Sequence, residues 1–467
     1  LSEAGGLNME QYDAVFLGGG PAGYQGAIRA AQLGKRVAVV EDRELGGVCL
    51  NHGCIPTKTI KASVEVLNKA RQAKNYGLVI PEAQPDMQAI IARKNKVVEL
   101  LRGGISQLFR SRGIRLYKGR GRFISPRKMK ISGTEAETTI GFDKAVIATG
   151  SRPFIPEILQ EHRHSVMDTD DILSIEKIPP SLAIIGAGAV GVEMASIMAS
   201  LGSQVTLIEM KEKILPGEDS QMVAYLTRML KRQKIKILTG NSVAGIKAGE
   251  VMQLQLSSGD EVFTEGLLVA AGRTANIENM GLDMLGVQIV NGFIQVDDNM
   301  QTALPGIYAA GDVVGNWLLA HVAFAEGITA AEHLAGVPAR MDYGVIPRCI
   351  FSVPEYAAVG LSEDEAVKNY PTESFVFQLK SMGMAQALGE WEGLIKLVVN
   401  RENEKILGAH IIGAHASDLI AELALAMKNK IKVKGIVNTV HAHPTMAEAV
   451  LEVAQAALGQ AIHIMPV

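Results

Sequence analysis

The 467-residue sequence predicts an α/β chain in which two strand, glycine-turn, helix, strand units are followed by a C-terminal α+β domain. Three observations carry that prediction: one such unit at the start, a second copy beginning at SLAIIGAGAVG, and a change of pattern near Ile346. The length exceeds what one ordinary hydrophobic core fills, so about three domains are expected. Hydrophobic residues at 48% and charged residues at 20% match packed domains rather than disordered or fibrous chains.

The elements follow in order. YDAVFLGGGPAGYQGAIRAAQLGKRVAVVED reads as strand, turn, helix and strand, a complete βαβ unit. Residues 62–112 read as two long helices around NYGLVIPEAQP, and DKAVIATGSRP returns the chain to β structure. SLAIIGAGAVGVEMASIMASLGSQVTLIEM repeats the unit, and short strands at KIKILTG, VMQLQLSSG and EGLLVAAGR complete its domain. GIYAAGDVVG and the helical HVAFAEGITAAEHL read as a return to the first domain. The strands FVFQLK and LIKLVVN and a final helix after HAHPTMAE form the α+β part. The predicted boundaries are 1–150 and 276–345 for the first domain, 151–275 for the second and 346–467 for the third.

Both glycine turns carry the spacing of a Rossmann-like dinucleotide site. Gly18, Gly20 and Gly23 permit a tight turn, close approach to a pyrophosphate and close helix packing. Glu41, at the end of the following strand, is placed to accept hydrogen bonds from ribose hydroxyls. Gly186, Gly188 and Gly191 repeat the pattern, with Glu209 as the acid. A carboxylate there repels a 2′-phosphate, so NAD is favoured over NADP, and Lys211 and Lys213 read as solvated charges beside Glu212.

The charge balance, 46 Lys and Arg against 49 Asp and Glu, leaves a net charge of −3, which lacks the field that nucleic-acid binding relies on. No apolar run is long enough to span a membrane, and LSEAGGLN has neither the basic start nor the apolar stretch of a signal peptide. A cytoplasmic protein is expected. Met9 stands just ahead of the first strand, so the first eight residues read as an appended scar outside the fold.

Three cysteines in so long a chain argue against a disulfide framework. Cys349, in RCIFSVPE, reads as a buried, inert thiol on a strand. Cys49 and Cys54 could be a structural disulfide, half of a zinc site or a redox pair. Zinc needs further ligands, and His52, His441 and His443 supply them only weakly, so no metal is expected. A structural disulfide closing so short a loop adds little stability. The redox reading gains from position, because the pair follows directly on the first nucleotide unit.

The motifs GGGPAG, GGVCLNHGCIPTK, ATGSRP, GAGAVGVE, GIYAAGDV, LLAH and HAHPTMAE, in that order, resemble the pyridine nucleotide-disulfide oxidoreductases over nearly the whole chain. Within that family the likeness is greatest to the branch that oxidises dihydrolipoamide on a carrier protein. The resemblance implies a homodimer with FAD, NAD and dimerisation domains. It implies that Lys58 and Gly121 contact FAD, that Asp312 binds its ribityl chain, and that the backbone around Ala320 approaches the flavin ring. Gly272 and Arg273 are further cofactor contacts on the same basis, and Lys58 is the expected partner of Glu193. Cys49 would meet the substrate and Cys54 the flavin. His443 would be the base that makes the attacking thiolate, with Glu448 orienting it, and the histidine would come from the opposite subunit. A lipoyl-carrier protein of a 2-oxoacid dehydrogenase or glycine cleavage complex is the implied partner. Rival readings are a glutathione reductase-like enzyme, though the arginines that read NADP are missing after Glu209, and a mercuric reductase-like one, though GQAIHIMPV has no cysteine pair. A non-catalytic flavoprotein subunit would need neither the cysteines nor the His–Glu pair. His52 stands where the family more often has an apolar residue, and reads either as exposed or as acting on the thiols.

Overall fold

The computed structural model of the chain describes residues 9–133 and 137–464. The scar expected over the first eight residues lies outside the described residues. Continuous apolar runs build the first sheet. Gln11–Leu17 lies between Val37–Glu41 and Thr138–Ile147, all parallel, with Arg115–Lys118 outside Val37–Glu41. Ile307–Ala309, arriving from far down the chain, pairs in parallel with the end of Thr138–Ile147. Strands covered on both faces need no polar alternation, which is why VAVVE is buried along almost its whole length. Two antiparallel strands, Lys128–Ser132 and Arg120–Ser125, run off the first half of Thr138–Ile147.

The helix Pro21–Gln32 begins with proline, whose missing N–H costs nothing in a first turn. It packs against the helix Ala320–Leu334 backbone to backbone. A Cβ at Gly327 would fall 2.2 Å from the Ala22 carbonyl oxygen, so the two helices can meet this closely only with glycine there.

The second sheet is parallel throughout, in the order Lys236–Thr239, Gln204–Glu209, Ser181–Ile185, Gly266–Val269. An antiparallel ribbon, Val243–Lys247, Met252–Leu256 and Glu261–Thr264, closes one face. The chain enters and leaves this unit through a neck of two antiparallel strands, Ser151–Pro153 and Arg273–Ala275.

From Arg348 onward a five-stranded antiparallel sheet runs Arg348–Ile350, Glu355–Gly360, Ile406–Gly413, Leu394–Asn400, Thr372–Gln378. Ile420 and Leu423 of the helix Ala416–Lys428 and Val450 and Val453 of the helix Glu448–Ala457 share its core with Ile395, Leu397 and Ile411. Each such side chain contributes about 1.5–3 kcal/mol on burial.

A buried charged seam joins this sheet to the second unit. Lys396 and Asp219, each 1% exposed, pair at 2.9 Å, and Lys396 also meets Glu363 at 2.7 Å. Beside them Glu218 accepts from Arg348 and from the Tyr356 hydroxyl. Removing one member of such a pair leaves an uncompensated buried charge. Among the described residues, no helix is long and apolar enough to cross a membrane.

Candidate active site

The two glycine turns are near copies. Gly18 takes φ +109° and Gly186 φ +99°, and a Cβ at Gly23 or Gly191 would lie 1.9 Å from the carbonyl oxygen of Gly18 or Gly186. The helices Pro21–Gln32 and Ala189–Leu201 start at Gly20 and Gly188 without a capping side chain, so their first amides are free for a diphosphate. The acids are held alike as well. Glu41 accepts from the amides of Gly19 at 2.6 Å and Arg43 at 2.8 Å, and Glu209 from those of Ala187 at 2.7 Å and Lys211 at 2.8 Å. Burial pushes the Glu41 carboxyl upward against those amides. Each carboxylate oxygen keeps a lone pair for a ribose hydroxyl. Lys213 is engaged with the Glu218 carbonyl and Ser220.

The cysteines lie on two helices that break at Gly53, Cys49 in Gly47–His52 and Cys54 as the first residue of Cys54–Arg71. Both are half-buried free thiols. They interact unequally. The hydrogen bond from Cys49 brings Cys54 down to about 7, with the Lys58 charge adding to it, while the same bond and burial push Cys49 well up. Cys54 also heads an 18-residue helix, whose N-terminus favours a thiolate. Of the two, Cys54 is therefore the more readily ionised, with Cys49 donating to it.

Lys58 lies one turn beyond Cys54, and its Nζ meets Glu193 Oε1 at 3.3 Å and Oε2 at 3.1 Å. Glu193 is 7% exposed, so it is not the solvent-facing helix residue that a lone glutamate usually is. Asp312 follows the strand Ile307–Ala309 and accepts from Ser151 Oγ at 2.5 Å. Arg273 donates to Ser151 Oγ at 2.6 Å and stands 3.6 Å from Asp312, which places it at the neck between the units. Gly272 precedes it at φ +125°. Gly121 packs on Leu17 and Val40 at the ends of the first-sheet strands. Ala320 opens a third helix without a capping side chain. These uncapped helices and fixed acids fit FAD at the first unit and NAD at the second.

Sequence reasoning missed several residues. Glu326, 2% exposed, accepts from the Gly311 amide at 2.7 Å and the Tyr343 hydroxyl at 2.6 Å, and burial drives its carboxyl up to about 7. Ser151 lies inside the quoted ATGSRP motif and could have been marked there. Phe351 has no local signature.

His443 and Glu448 are brought together. His443 Nδ1 meets Glu448 Oε1 at 2.8 Å, and the other carboxylate oxygen accepts from the Thr445 amide at 2.9 Å. Against the burial that would raise it, the bonds from His443 and Thr445 hold the Glu448 carboxyl below its ordinary value. With Nδ1 engaged, Nε2 of an imidazole 79% exposed is left to take a proton. Among the described residues no hydrogen bond or ion pair links His443 to Cys49 or Cys54. His441 pairs instead with Glu422 at 2.9 Å. His52 faces Arg43 at 3.1 Å, with Glu44 and Asp170 within 3.8 Å. Cys349 is half-buried rather than fully buried, and burial pushes its thiol up to about 11. Among the described residues no group of His, Cys, Asp and Glu side chains is arranged to hold a metal ion.

Comparison with known proteins agrees with this geometry. Residues 12–327 match the family described as pyridine nucleotide-disulphide oxidoreductase, and residues 346–454 match its dimerisation domain. The chain is 40% identical over 470 residues to a dihydrolipoyl dehydrogenase of Bacillus subtilis, covering 97% of this chain and 99% of that one. It is 40% identical over 468 residues to a dihydrolipoyl dehydrogenase of Thermus scotoductus, covering 98% and 100%. Among solved structures, LpdA from Mycobacterium tuberculosis superposes with a TM-score of 0.89 at 25% identity, covering 96% of this chain and 99% of that one. The flavoprotein disulfide reductase RclA from Escherichia coli does so with a TM-score of 0.87 at 26% identity, covering 96% and 100%.

Proposed function

The chain belongs to the pyridine nucleotide-disulphide oxidoreductases, and from that premise we propose that it is a dihydrolipoyl dehydrogenase, oxidising dihydrolipoamide on a carrier protein and passing the electrons to NAD. The observation that carries this is the unequal Cys49–Cys54 pair with the Lys58–Glu193 ion pair one helical turn away.

When bound, FAD takes an electron pair from the dithiol and returns it as hydride to NAD. The chain's own residues handle the sulfur and the protons. In the oxidised enzyme Cys49 and Cys54 form a disulfide. His443 Nε2 removes a proton from one substrate thiol, and the thiolate attacks Cys49 Sγ, forming a mixed disulfide while the Cys49–Cys54 bond breaks and Cys54 leaves as thiolate. The lowered Cys54 makes that departure favourable. The second substrate sulfur then attacks the first, closing lipoamide and releasing Cys49, which takes that second thiol's proton, while His443 keeps the first proton opposite the Cys54 thiolate. Glu448 fixes the imidazole and stabilises the cation it becomes.

The match of the C-terminal part to a dimerisation domain supports a homodimer, with an exposed His443 serving the partner's cysteines. The lipoyl carrier of a 2-oxoacid dehydrogenase or glycine cleavage complex is the proposed macromolecular partner.

Adding dihydrolipoamide to the flavin-loaded protein should produce the long-wavelength absorption of a thiolate lying against flavin. A flavin that bleaches without that band counts against the role of Cys54. His443→Gln should slow dithiol oxidation by about 10²–10⁴-fold, the usual worth of a general base, while NADH-to-dye transfer stays nearly intact. Equal loss in both assays would make His443 a structural residue.

A further inference from the structure

Lys58 has a long flexible stem and is about one-third exposed, yet its charge has to stand beside Cys54. What seats it comes from the C-terminal unit. Lys58 Nζ lies 4.0 Å from the centroid of the Phe351 ring, and the Phe351 amide donates to Glu193 Oε1 at 2.9 Å. Two residues on, the Val353 amide donates to Ser196 Oγ at 2.9 Å, on the same helix as Glu193, so this strap is fastened to that helix at two points. One residue therefore touches the redox helix through its ring and the nucleotide helix through its backbone.

We propose that Phe351 is a positioning residue for the dithiol: its ring seats the Lys58 ammonium and its amide seats the Glu193 carboxylate, so that the cation stands beside Cys54. A cation over an aromatic face is held by the ring quadrupole, and the hold strengthens as water is excluded. Without the ring the ammonium can swing to solvent, and the thiolate loses its nearest positive charge. The inference rests on the redox role given to Cys54 above.

The test is a pH titration of the Cys54 thiolate by its ultraviolet absorbance and its charge-transfer band. It uses flavin-loaded Cys49→Ser protein, in which the hydroxyl still donates toward Cys54. Phe351→Leu should move the midpoint upward, so that the thiolate fraction at neutral pH falls about three- to tenfold. Phe351→Tyr keeps the ring and should leave the midpoint in place. In a Lys58→Met background Phe351→Leu should change nothing further. If the Leu variant does not fold, Phe351→Met takes its place. An unmoved midpoint, an equal shift in the Tyr variant, or a shift that persists without Lys58 overturns the proposal. Cys49→Ser variants that titrate this way, alongside a wild-type protein that oxidises no dihydrolipoamide, support Phe351 and overturn the substrate assignment instead.

Discussion

The chain builds the same nucleotide device twice and then treats the two copies differently. In the first unit the glycine turn is roofed: the short helix Gly47–His52 starts directly over it, with Gly47 Cα 3.7 Å from where a Cβ on Gly20 would stand, and the helix Ala320–Leu334 clamps the unit's own helix. In the second unit a Cβ on the equivalent Gly188 would have nothing within 4 Å, and Val190 beside it is 41% exposed. A covered site suits a cofactor that stays, and an open one suits a cofactor that exchanges at every turnover. Turns of the same spacing thus end up differently covered because of what the rest of the chain lays over them.

The largest effect that would break this comparison comes from the third glycine of each turn. Gly23→Ala and Gly191→Ala each drive a methyl to 1.9 Å from a carbonyl oxygen, so the turn has to open. Gly23→Ala should cost about a hundredfold or more in FAD retention, read as the flavin-to-protein ratio after gel filtration. Gly191→Ala should keep its flavin and lose NAD turnover. If the two variants lose flavin alike, the units are not separate sites.

A sharper probe is Gly188→Ala. Gly188 sits at φ −73°, an ordinary value for any residue, and a methyl there meets open space. Only a bound pyrophosphate would feel it. The KM for NAD should rise about tenfold or more while Tm stays within about one degree, because surface changes that disturb no contact are nearly neutral. A fall in Tm without a change in KM would show that the open turn is structural.

What was legible in the sequence was local. Glycine spacing, an acid at the end of the next strand, a cysteine pair and a histidine five residues before a glutamate are short-range patterns, and the structure keeps each together: Glu41 and Glu209 reach back to their turns, and His443 meets Glu448. What was illegible joins residues far apart in the chain. Phe351 meets Lys58 and Glu193, Ser151 ties Arg273 to Asp312, and Lys396 pairs with Asp219. Nothing in RCIF or LIKLVVN marks such a partner, because the partner is selected by how whole domains dock. The same limit explains the Cys349 result, where a strand residue expected to be buried lies only half inside the core.

The smallest predicted effect concerns the buried carboxylates. The second unit's Glu193 has a cation against it, whereas Glu326, beneath the first unit's Gly311–Asp312 turn, has only hydrogen-bond donors. Burial therefore raises Glu326 from 4.5 to about 7, despite the bonds from Tyr343 and Gly311. A carboxyl raised in the fold adds stability that is complete below its unfolded value of 4.5 and is lost as pH climbs through about 7. Glu326→Gln copies the protonated form and removes that slope. One of the two donors then faces an amide nitrogen, which costs about 1 kcal/mol at every pH. The variant should be slightly less stable than the parent at pH 5 and more stable by about 1–2 kcal/mol at pH 8, read as Tm of the flavin-loaded protein. Parallel stability curves for the two proteins would mean that Glu326 is already ionised in the fold. Both buried carboxyls would then be charged, Glu193 against a cation and Glu326 held by hydrogen-bond donors alone.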